Sequence, residues 1–145
     1  MKKVAWLLAG AVITLGVVFA VKPGVLEGLM PGWFAEKHRK TIRSRATELI
    51  LCLAENNPDK CVDYVEQAFV REHGAKAVKL RFGVVSFIAK AGKITAQDVE
   101  IGDIRLNADN TSAEVDCRLR VKGEWKVQTP GTWVRVGDQW YTRIE

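Results

Sequence analysis

Residues that usually carry polar chemistry are scarce in this sequence. Of 145 residues, two are histidine (His38 and His73) and three are cysteine (Cys52, Cys61 and Cys117). The cysteines form no C-x-x-C pair and have no histidine pair beside them, so no metal site is expected. His38 falls in a basic stretch and His73 at the end of a helical pattern, positions that favour solvation over catalysis. No Ser/His/Asp or Cys/His system can be assembled from them. Clustered basic charge is also lacking. The net charge is +5, and Lys2 and Lys3 supply two of those charges. A nucleic-acid footprint needs Lys and Arg gathered on one element, so nucleic acid is not an expected partner. There is no internal repeat or low-complexity segment, and nothing calls for a cofactor.

What the sequence does have is one long uncharged run. Met-Lys-Lys is followed by Val4 to Val21 without a charge, then by Lys22-Pro23-Gly24. A basic start, an apolar stretch and small residues at Val18-Phe19-Ala20 are the layout of a secretory signal. As a helix the run spans about 27 Å, close to the ~30 Å hydrocarbon core of a bilayer. Residues 1–21 are therefore expected to be a cleaved signal or a single-pass anchor, placing the rest outside the cytoplasm at the cell envelope. The alternative is a cytosolic domain whose basic stretch, Lys37 to Arg45, leans on anionic lipid. Residues 22–33 carry two Pro-Gly pairs and read as a linker. Trp33 and Phe34 either mark a membrane interface or open the domain that follows.

Residues 34–145 read as one α+β domain. Ala35, Ile42, Ala46, Leu49 and Leu53 follow a helical period, predicting a helix over Phe34–Glu55. Asn57-Pro58-Asp59 is an N-cap, a first-turn proline and an acid suited to the helix dipole. A second helix is predicted from there to His73, with Cys61, Val62, Val65, Ala68 and Phe69 inward and Gly74 as its stop. Residues 75–91 fit helix or strand, and their length favours a helix whose inward residues are Ala77, Leu80, Val84, Phe87 and Ile88.

After residue 96 the period becomes two. Ala113, Val115, Cys117, Leu119 and Val121 alternate with charged residues, one face buried and one solvated. Before them, a bulge at Gly102 reconciles Val99 and Ile101 with Ile104 and Leu106. A turn at Asp109-Asn110 sets Leu106 opposite Ala113. A Lys122-Gly123-Glu124 loop places Trp125 opposite Val121; a two-residue loop would turn Glu124 and Lys126 to the core face. Pro130-Gly131 bends this strand, and Gly137-Asp138 makes the last hairpin. The expected product is two or three helices packed on a curved four-stranded antiparallel sheet.

That order resembles the nuclear transport factor 2-like superfamily, a cone-shaped α+β roll. Asp98–Ile101, Thr111–Val115 and above all Trp133-Val134-Arg135-Val136-Gly137-Asp138-Gln139-Trp140-Tyr141 are similar to the tail of exported members of unknown function. The resemblance covers residues 34–145 and implies a fold that serves isomerases, dehydratases and scaffolds alike. An enzyme of this kind would place an Asp or Tyr inside the cone; Asp63 and Tyr64 are the nearest candidates, although neighbours on a helix face different ways.

Cys52 and Cys61 flank the turn between the first two helices and would lie level with each other, so a disulfide is expected after export. Cys117 reads as a core thiol. Trp133 and Trp140 fall diagonally on one face of the last hairpin. They are expected to be core, with an exposed binding surface as the alternative. The function expected is an exported or membrane-anchored, non-catalytic binding module. The alternative is a small isomerase- or dehydratase-like enzyme using the interior of the cone. Expected partners are the membrane through residues 4–21 and a protein or a second copy.

Overall fold

The computed structural model describes residues 27–144. The run at 4–21 lies outside them; among the described residues no helix is long and apolar enough to cross a membrane. The chain divides into two units, residues 1–34 and 35–145. In the first, the Trp33 and Phe34 rings meet edge to face with centroids 4.8 Å apart.

Helix α1 spans Pro31–Ala54. It starts inside the expected linker, because proline suits the first helical position, where its missing N–H costs nothing. Its stripe of Ile42, Ala46, Leu49, Cys52 and Leu53 is buried in the main core. Helix α2, Pro58–Cys61, is capped as expected: Lys60 N–H donates to the Asn57 side-chain oxygen at 3.2 Å.

The expected helix to His73 is not continuous. A 3₁₀ turn over Val62–Tyr64 ends at Val65, which is extended, and helix α3 runs over Gln67–His73. Val65 forms a parallel bridge with Thr142, and Glu66 N–H donates to the Thr142 carbonyl at 3.1 Å. A long-range sheet contact thus overrides local helix preference. Cys61, Val65 and Val70 are buried, while Ala68 is exposed.

Helix α4 covers Ala75–Ala91, so the helical reading of this segment holds. Its expected inward face does not. Val78, Phe82 and Ser86 point into the fold, and Leu80, Val84, Phe87 and Ile88 are 70%, 56%, 73% and 64% exposed. Both faces of this helix are apolar, and packing against α2 and α3 selected the other one. The Ser86 hydroxyl is fully buried and has no hydrogen-bond partner among the described residues. Ser86→Ala removes an unsatisfied group and improves helix propensity, so it is expected to stabilise the domain by about 1 kcal/mol. Urea denaturation checks this; a destabilised variant would show that the hydroxyl is bonded in solution.

The sheet order is β1-β2-β4-β5, with β3 also pairing β2: β1 Val99–Leu106, β2 Ser112–Val121, β3 Glu124–Val127, β4 Gly131–Val136 and β5 Gln139–Arg143. All neighbours are antiparallel. The sheet is curved and unclosed. Leu106 faces Ala113, and the register shifts between Ile101 and Ile104, as the bulge at Gly102 requires. Helix α1 reaches that bulge: Arg43 donates to the Ile101 and Gly102 carbonyls, and Arg39 to the Ile104 carbonyl. Much of the basic stretch is thereby absorbed into the fold.

The β2–β3 register differs from expectation by one residue. Val121 faces Glu124 and Arg120 faces Trp125 across a two-residue Lys122-Gly123 turn. Both turn residues have positive φ, +54° and +84°, the geometry of a type I′ hairpin. Turn chemistry fixed the register, and Trp125 and Val127 therefore project away from the core face and are exposed. The chain then breaks at residues 128–130, so the expected third strand becomes β3 and β4. The last hairpin has the expected register throughout, from Val136 opposite Gln139 to Trp133 opposite Thr142.

Candidate functional site

The interior between α1 and the concave sheet face is the natural place for a ligand in a roll of this kind. Here it is filled. Ile42, Ala46 and Leu49 from the helix meet Ile101, Ile104, Ala113, Val115, Trp133 and Trp140 from the sheet, all buried. Trp133 and Trp140 are 3% and 0% exposed, so they are core rather than a binding surface.

Helix α1 brings a polar group into this interior. His38 is buried, contrary to its expected solvation, because Trp140 lies beside it with ring centroids 5.6 Å apart. Trp140 Nε1–H points at His38 Nδ1 at 3.3 Å, and Arg135 Nη1 lies 2.7 Å from His38 Nε2. A neutral imidazole offers one acceptor nitrogen, so only one of these two donors is hydrogen-bonded at a time. With its lone pair engaged by Trp140 or Arg135, His38 is poorly placed to accept a substrate proton. His73 is exposed and stacks on Phe69 at 4.0 Å.

Asp63 and Tyr64 do not converge. Asp63 is exposed, and the Tyr64 hydroxyl donates to Glu48 at 3.3 Å. Burial, then the Glu48 carboxylate, pushes the Tyr64 pKa up. The Arg45 guanidinium lies over both the Tyr64 and Tyr141 rings, 5.0 and 5.2 Å from their centroids. This is a cation–π arrangement that ties α1 to β5. Among the described residues no group of three His, Cys, Asp or Glu side chains is placed to hold a metal.

The fold does bring Cys52 and Cys61 together. Both are buried and are free thiols, with Cys61 Sγ donating to Cys52 Sγ at 2.8 Å. That separation exceeds the ~2.05 Å of a disulfide bond, so the expected bridge is not present in this structure. Burial raises the Cys61 pKa far above that of a free thiol, with the hydrogen bond to Cys52 adding to it. Cys52 lines an open depression of about 330 Å³ with Glu48, Leu51, Glu55, Lys60 and Tyr64. Cys117 is half-buried, its pKa pushed up to about 11 by desolvation.

The largest feature that sequence reasoning misplaced is the outer face of α4. Ala77, Leu80, Val84, Phe87, Ile88 and Ala91 repeat at helical steps and are exposed. The period itself was legible; which apolar face would be covered was not. By contrast, the outer face of β1 and β2 is the solvated charged surface expected. Arg105 pairs with Glu114 and Asp116, Arg118 with Glu100, and Arg120 with Asp98.

No protein-family model matches this chain, and no curated protein matches it. Among solved structures it is similar to a proposed NTF2-like transpeptidase from Campylobacter jejuni. The TM-score is 0.55 at 13% identity, and the match covers 69% of this chain and 94% of that one. The likeness shows a nuclear transport factor 2-like fold.

Proposed function

We propose that this protein is a non-catalytic binding module of the cell envelope, exported through residues 1–21 and held there by them or released by their cleavage. The observation that supports this best is the filled interior. An enzyme on this fold would need a water-accessible cone with converging acid and base, whereas the interior here is occupied by Ile42, Leu49, Trp133 and Trp140. Binding then belongs to the outer surface, with a protein, a second copy or the membrane as the partner class.

Export is tested by fusing reporters after Glu145. A reporter active only outside the cytoplasm is expected to be active in this fusion. Activity from a cytosol-only reporter alone would remove the exported reading and return the domain to the cytosol.

A further inference from the structure

We propose that the outer face of α4 docks flat on an anionic lipid surface, which would make this helix a second membrane contact besides residues 4–21. The inference rests on the membrane-associated part of the reading above and not on export. Helix α4 packs inward through Val78, Phe82 and Ser86, and its opposite face presents Leu80, Val84, Phe87 and Ile88 to solvent. Four large apolar side chains at helical spacing form a continuous stripe, which a soluble surface rarely leaves uncovered.

Charge decides the occupant. From Ala75 to Lys93 the chain carries Lys76, Lys79, Arg81, Lys90 and Lys93 and no acidic residue. All five are exposed. On a helical projection Lys76, Lys79 and Lys90 fall along one side of the apolar stripe and Arg81 along the other. Asp59 from α2 neutralises Lys79 at 2.5 Å, and Arg81 also donates to the Ile144 carbonyl at 3.2 Å. Among the described residues, Lys76, Lys90 and Lys93 make no ion pair.

An apolar stripe bordered by basic residues is the pattern of a helix lying in a membrane interface. Its hydrophobic side chains enter the headgroup–acyl boundary and its cations meet lipid phosphates. A second copy fits less well, because a two-fold contact through this face would set two basic borders against each other. An acid-poor helix therefore selects an anionic bilayer over its own copy.

The test uses the full chain with Cys52→Ser, Cys61→Ser and Cys117→Ser, so that the introduced cysteine is the one thiol available to the label. Phe87→Cys carries an environment-sensitive fluorophore, and Asp109→Cys at the β1–β2 turn carries the control label. Each protein is reconstituted in vesicles of phosphatidylcholine alone or of a mixture rich in phosphatidylglycerol, with brominated lipid as quencher. Expected is a several-fold brighter, blue-shifted and lipid-quenched label at position 87 in the anionic vesicles only, with position 109 unchanged. Lys76→Glu combined with Lys90→Glu should abolish that response while leaving the fold intact, since both side chains are solvated.

A label at 87 that reports water in both vesicle types would overturn the proposal. So would a shielded label that brominated lipid does not quench, which would assign the face to a second copy or to residues 4–21. Equal quenching in both vesicle types would remove the requirement for anionic lipid. None of these readouts depends on export, so failure here and failure of the reporter fusion are distinguishable.

Discussion

Trp140→Ala is expected to cost about 3–5 kcal/mol of folding stability, the usual range for truncating a large aromatic in a packed core. The indole is fully buried on β5, diagonal to Trp133 across the last hairpin. Removing it opens a cavity in the main core and leaves His38 without its aromatic neighbour. A domain of this size has only about 5–15 kcal/mol in total, so the variant should be partly unfolded near 37 °C.

The control must avoid Arg143, although it lies on the opposite face of the strand. Arg143 grips Glu66 through two hydrogen bonds, at 2.5 and 3.2 Å, and the Glu66 side chain is only 12% exposed. Arg143→Ala is expected to cost about 1 kcal/mol through that pair. Gln139→Ala, at the exposed first position of β5, is expected to change little. Urea melts of the three variants give the order. If Trp140→Ala were as stable as Gln139→Ala, the last hairpin would not be core and the assigned architecture would fail.

Oxidation of Cys52 and Cys61 is the second large expected effect. The two thiols are free and adjacent in the fold, so exposure to an oxidising environment is expected to close a disulfide between them. Cys52, the sulfur beside the open depression, attacks a protein or small-molecule disulfide as thiolate and displaces one thiol. Cys61 then attacks the mixed disulfide, closing the Cys52–Cys61 bond and releasing the second thiol. Two protons leave the cysteines, and the external disulfide takes up both electrons. The sulfurs are already 2.8 Å apart, so closure requires a small side-chain adjustment. Cross-linking this short loop should stabilise the domain by roughly 2–3 kcal/mol on the chain-entropy estimate.

Intact mass of protein isolated from the envelope is expected to be two hydrogens lower than after reduction. The oxidised form should show a higher urea midpoint than the reduced form, and a Cys52→Ser/Cys61→Ser variant should lose that difference. An unchanged mass on reduction would leave the pair as buried thiols. It would not by itself move the domain to the cytosol, which the reporter fusion decides separately.

Local signals in the sequence determined much of the architecture. The α+β class, α1, the Asn57 cap, the bulge at Gly102 and the last hairpin all follow from period, cap and turn chemistry acting within a few residues. The proximity of Cys52 and Cys61 was legible for the same reason, since the chain turns midway between them. Where two local rules competed, the tertiary structure decided. The type I′ turn at Lys122-Gly123 overrode the polar–apolar alternation of β3. The bridge from Val65 to Thr142 broke a helix that propensity alone would continue. His38 entered the core because Trp140, 102 residues away, covers it. Helix α4 has two apolar faces, and periodicity is blind to which one meets α2 and α3. Only packing assigned Val78 and Phe82 to the core and left Leu80, Val84, Phe87 and Ile88 outside.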